Sequence, residues 1–64
     1  MGSWALIEIQ DKQGVWIHFK KVSNDPVTIE KALQAALKIQ LASNTKKARA
    51  VDADTNDLLR IERG

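Results

Sequence analysis

Two stretches that read as β-hairpins flank a single amphipathic helix, and in a chain of 64 residues that order leaves few ways to enclose a core. The first hairpin is predicted over residues 4–22, the helix over 28–43 and the second hairpin over 46–63, all within one ββαββ domain spanning residues 1–64. Each hairpin bends at a residue suited to positive φ. In Asp11-Lys12-Gln13-Gly14 a three-residue loop, Lys12 to Gly14, puts glycine where a left-handed conformation is needed. In the second hairpin Asp54-Thr55-Asn56 takes the same place 42 residues later, with Asn56 standing for Gly14.

These loops set the expected registers, because a slip of one residue sends every side chain to the opposite face. Ile9 is expected opposite Ile17, Ile7 opposite Phe19, Glu8 opposite His18, Gln10 opposite Trp16 and Leu6 opposite Lys20. That gathers Ile7, Ile9, Val15, Ile17 and Phe19 on a core face. Leu6, Glu8, Gln10, Trp16, His18 and Lys20 fall on the other. In the second hairpin Val51 is expected opposite Leu59 and Arg49 opposite Ile61 on the core side. Ala48, Ala50, Asp52, Leu58, Arg60 and Glu62 are then expected on the open side.

Between the hairpins, Thr28 is the predicted N-cap and Glu30 lies near the positive end of the helix dipole. At 100° per residue, Ile29, Ala32, Leu33, Ala36, Leu37, Gln40 and Leu41 share one stripe, and Ser43-Asn44 ends the helix. One apolar stripe covers one sheet face. The fold class is therefore α+β: a four-stranded sheet of two hairpins with one helix on one face. Placing the first and last strands side by side at the centre gives the order 2-1-4-3, with a different strand order as the competing topology. In element order and length, across nearly the whole chain, this layout resembles the small immunoglobulin-binding β-grasp domains. The resemblance implies a topology and no functional residue.

The chain has no cysteine, which removes disulfides and cysteine-based metal sites. Ten basic and eight acidic residues leave a net charge of +2, too mild by itself to argue for nucleic acid. No apolar run approaches the ~20 residues of a membrane span. The first residues lack the basic and apolar regions of a signal peptide, so a cytoplasmic chain with no membrane contact is expected.

The pattern offers little chemistry. His18, the one histidine, is expected across from Glu8 as an ion pair, without a nucleophile or a cleft to make an acid–base site of it. A metal would need further ligands. Asp52, Asp54, Thr55, Asn56 and Asp57 have the composition of a calcium loop without its spacing, and read better as a hairpin turn. No catalytic residue, metal or cofactor is expected, and the chain is not expected to be an enzyme.

The remaining feature is the sheet face the helix leaves open. Trp4, Leu6, Trp16, His18, Leu58 and Arg60 are expected there, more apolar than solvation alone requires, and this marks a surface for another protein or for a second copy of the chain as a homodimer. Edge strands offer a second route to association. The alternative is a nucleic-acid surface built on the basic strand ends, Lys20, Lys21, Lys46, Lys47 and Arg49, with Arg49 otherwise expected to snorkel outward from an edge strand.

Overall fold

A computed structural model describes residues 3–11, 13–39 and 47–63. Its elements are β1 (Trp4–Gln10), β2 (Trp16–Ser23), α1 (Pro26–Ile39), β3 (Lys47–Asp52) and β4 (Leu58–Arg63). They form one four-stranded sheet, antiparallel at every pairing, with the helix on one face. The α+β class and the ββαββ order are as the sequence implies. The expected turn at Lys12, the end of the helix around Gln40, Leu41, Ser43 and Asn44, and Lys46 all lie outside the described residues.

The strands run β2-β1-β3-β4, so β3 and not β4 lies against β1. This is the competing order, and it replaces the parallel centre of a β-grasp with an antiparallel one. The reason lies in what each strand can bury. A central strand is covered by neighbours on both edges and by the helix on one face. Strand β3 meets the helix with Ala48 and Ala50, both fully buried. Strand β4 turns Arg60 and Glu62 to that side, and two charges there are tolerable only at an edge, where their heads reach water.

The first turn forms as its sequence requires. Gly14 has φ +86°, its N–H donates to the Asp11 carbonyl (3.1 Å), and the Asp11 N–H donates to the Val15 carbonyl (2.9 Å). The Asp11 carboxylate accepts from the N–H groups of Gln13 and Val15, which satisfies donors that a tight loop leaves over. Ile9–Ile17, Glu8–His18 and Gln10–Trp16 pair as expected. Beyond them a bulge at Phe19 shifts the register. Ile7 then faces Lys20, and Leu6 faces Lys21, in place of Phe19 and Lys20.

The second turn is one residue longer than expected. The Asp52 N–H donates to the Asp57 carbonyl and the Asn56 N–H to the Asp52 carbonyl, both at 2.8 Å, so residues 53–56 form the loop, with Asn56 at φ 63°. The Asp52 carboxylate, on a buried residue, accepts from the N–H groups of Asp54 and Thr55. Val51 consequently faces Leu58 and not Leu59. A bulge at Leu59 absorbs the extra residue, and the expected Arg49–Ile61 pairing returns beyond it.

The helix begins at Pro26, two residues before the expected start. Asp25, and not Thr28, is the cap. Its carboxylate accepts from both the N–H (2.9 Å) and the hydroxyl (3.0 Å) of Thr28. Proline then occupies the first helical position, where a missing N–H costs nothing. The Thr28 hydrogen bonds hold the Asp25 carboxyl below its usual pKa, because they favour the ionised form.

Ile29, Ala32, Leu33, Ala36 and Leu37 of the helix are buried against Ala5, Ile7, Val22, Ala48 and Ala50 of the sheet, with Ile9 and Phe19 packed at the margin. Ile7 and Leu33 are fully buried and contribute about 1.5–3 kcal/mol each by leaving water. The faces of β3, and of β4 beyond the bulge at Leu59, are the reverse of those expected, whereas Leu58 stays on the open side. Ala50 lies opposite Ile7 and Ala48 opposite Ile9, and residues directly opposite share a face, so the alanines lie beneath the helix. Arg49, Val51 and Ile61 therefore belong to the open side. Ile17 shares the core side with Ile9 but stays 46% exposed.

Candidate functional site

The open face is built by alternation along four strands. Strand β1 supplies Trp4, Leu6, Glu8 and Gln10. Their partners on β2 are Ser23, Lys21, His18 and Trp16. Strand β3 supplies Lys47, Arg49 and Val51, whose partners on β4 are Arg63, Ile61 and Leu58. Five of the six residues expected here, Trp4, Leu6, Trp16, His18 and Leu58, are on this side. Arg60 is not. The bulge at Leu59 sets Arg60 opposite Ala50 on the helix side, where its guanidinium donates to Glu62 (2.7 Å) and reaches Glu30 of the helix (3.5 Å). Glu62 holds that guanidinium more firmly protonated than an isolated arginine.

Read across the strands, the face is not uniform. One row runs Lys21–Leu6–Val51–Leu58, with Trp4 beside it at the end of β1. The next runs His18–Glu8–Arg49–Ile61. Beyond it lie the pairs Trp16–Gln10 and Lys47–Arg63. Trp4, Leu6, Val51 and Leu58 thus gather at one end, with Lys21 at their edge, whereas Arg49, Lys47 and Arg63 lie toward the other. Leu58 (57%), Trp4 (47%) and Ile61 (45%) are the most open of its large apolar side chains, whereas Val51 is buried without joining the cluster under the helix.

Each indole is met by a cation. The Lys21 ammonium lies 5.0 Å from the centre of the Trp4 ring, and the Arg49 guanidinium 4.3 Å from that of Trp16. Such contacts contribute about 0.5–1 kcal/mol at exposed sites. Arg49 also donates to the Glu8 carboxylate at 2.7 Å, with both side chains partly covered. Glu8 is therefore bonded to Arg49 and not to His18, which sits across from it in the register without that ion pair.

The basic residues expected to form a nucleic-acid surface are not brought together. Lys21, Lys47 and Arg49 share the open face, while Lys20 follows Phe19 through the bulge to the helix side. Sequence reasoning missed Val51, Ile61 and Arg63 as open-face residues. The signal for them was present: Ala48 and Ala50 are the small pair that a close helix demands, and choosing them for the core sends their neighbours outward.

A cleft of about 270 Å³ lies on the helix side between Pro26, Ile29 and Leu59, with Arg60 at its margin. That arginine is already held by two carboxylates. Among the described residues no group of three or more His, Asp or Glu is placed to hold a metal ion, and no helix is long and apolar enough to cross a membrane. The chain matches no protein-family model, no curated protein and no solved structure.

Proposed function

We propose that this protein is a small, non-catalytic binding module that contacts a macromolecular partner through its open sheet face. One observation carries this reading: Trp4, Leu58 and Ile61 are each about half exposed on a sheet face that none of the described elements covers. Apolar side chains concentrated on one exposed face are typical of contact surfaces, and tryptophan and arginine are frequent anchors in them. The face is a better candidate than an edge. Both edge strands carry a bulge, at Phe19 and at Leu59, and bulges break the regular row of backbone groups that a foreign strand would join.

Sedimentation over a range of concentrations separates self-association from the need for an outside partner. Retention of partners by the wild-type chain is then compared with retention by the Leu58→Asp and Trp16→Ala variants. Loss of retention with unchanged melting is the expected result. Full retention by both variants would refute the reading.

Nucleic acid is the second reading, favoured by Lys21, Lys47 and Arg49 lying on the same face. Two features weigh against it. Arg49 is paired with Glu8, and the indoles on which bases would stack are each met by a cation. Affinity for mixed oligonucleotides that falls steeply with salt would favour it.

A further inference from the structure

The charge of the chain is divided between its two sides in a way the net value hides. Among the described residues the open face carries four formal cations, Lys21, Lys47, Arg49 and Arg63, against one carboxylate, Glu8. Leaving Lys47 aside, three cations still face one acid. Since the whole chain is only +2, the other residues together are close to neutral or slightly acidic. The positive potential therefore belongs to the same surface as the exposed side chains of Trp4, Leu58 and Ile61.

This bears on a second copy as the occupant. Four strands at ~4.8 Å spacing and about six residues at ~3.3 Å make a face of roughly 15–20 Å by 20 Å. A stable dimer buries about 800 Å² per partner, so it would need the whole face, cations included. A two-fold axis along the strands sets the cationic end on its own copy. An axis across them sets it on the partner's aliphatic row. The first juxtaposes like charges and the second sets cations against aliphatic side chains, and both are costly.

Resting on the reading of the open face as the contact surface, we infer that the occupant is an acidic protein segment: its apolar side chains lie on the Trp4–Leu6–Leu58 end and its carboxylates face the Arg49–Arg63 end. The aliphatic row selects protein over nucleic acid, because Leu6 and Leu58 offer burial to apolar side chains and the ring at that end, Trp4, is already met by Lys21. Arg63 is suited to carboxylates through charge-assisted hydrogen bonds; Arg49, bonded to Glu8 through Nε, has its other guanidinium N–H groups left for one. The ordering of apolar and basic ends along the strands sets the ordering required of the segment.

The test uses the full chain, isotope-labelled for NMR. The probe is a synthetic peptide of about eight residues, long enough to cross the face at ~3.3 Å per residue. It carries leucines at alternate positions in one half and glutamates in the other. Controls replace glutamate with lysine, replace leucine with serine, or substitute a single-stranded oligothymidylate. The expected result is saturable shifts at the Trp4 and Trp16 indoles and at the Leu6, Arg49 and Ile61 amides, with Kd below about 1 mM. Each control should bind about tenfold more weakly or not at all, and raising salt from about 0.1 to about 1 M, which shortens the Debye length from about 10 to about 3 Å, should weaken the peptide severalfold. Arg63→Glu, at the exposed end of an edge strand, should weaken it severalfold without changing the melting temperature; Lys21→Glu gives a second charge reversal.

Equal or tighter binding of the lysine peptide, tighter binding of the oligonucleotide, or no shift with the leucine–glutamate peptide would overturn the inference. A natural partner that depends on Leu58 but is basic or neutral would overturn it too, and would leave the contact-surface reading intact.

Discussion

At the scale of single residues, Gly14 and Asn56 determine how each hairpin closes. Gly14 sits at φ +86°, and a Cβ there would meet only the Gln10 amide nitrogen at 3.7 Å. The obstacle to another residue is therefore backbone conformation and not space. Gly14→Ala should cost about 1–2 kcal/mol, the usual penalty for a left-handed L-residue, and Gly14→Asn less, as read from urea midpoints. Asp25 gives a prediction in pH. Its carboxyl has a lowered pKa in the folded chain, so the native state binds fewer protons than the unfolded state around the usual value of 3.8. Stability from this group is complete above that value and is lost as pH falls through the lower, folded one. Asp25→Asn should be less stable than the wild type at neutral pH, and the gap in urea midpoints should narrow as the solution is acidified. These two turn residues were legible from sequence because φ preference is local. The cap was misread by three positions because Thr28 also suits capping; the competition is decided by Pro26, which fits the first helical turn and leaves Asp25 just before it.

At the scale of elements, β3 meets the helix through two alanines, Ala48 and Ala50. Ala50 is fully buried beneath the helix, opposite Ile7. Ala50→Leu should overpack that contact and cost about 1–3 kcal/mol, whereas Val51→Leu, on the opposite side of the same strand, should cost less; thermal or urea unfolding of the two variants distinguishes the faces. Leu33→Ala should cost about 2–5 kcal/mol, since Leu33 is fully buried. On the open face, Glu8, Arg49 and Trp16 act together. A double-mutant cycle on Glu8→Gln and Arg49→Ala should return a coupling of about 0.5–1 kcal/mol, in keeping with a partly exposed pair. The faces of β3 were misassigned because larger apolar residues, Val51, Leu59 and Ile61, compete with two alanines for the core. Hydrophobicity alone favours the larger set. The distance at which a helix can cross a central strand favours the smaller.

For the whole molecule, what matters is that one layer of helix covers one side of a four-stranded sheet and leaves the other to solvent. Replacing Leu58 or Ile61 with Asp should leave stability within about 0.5 kcal/mol while removing association, because both are substantially exposed. Unfolding of these variants instead would show that the open face stabilises the domain. The class, the order of the elements, the helix stripe from Ile29 to Leu37 and the two left-handed turns followed from the sequence by itself, because each rests on periodicity or on the φ preference of a few neighbouring residues. Only the tertiary structure decided that β3 lies beside β1, that the bulges at Phe19 and Leu59 divide Lys20 from Lys21 and Leu58 from Arg60, and that Lys21, Arg49 and Arg63 share the face opposite the helix. Those outcomes depend on which strand can be buried on both edges and on how an extra residue in a turn is absorbed further along. Both are balances between distant parts of the chain, and no local window contains them.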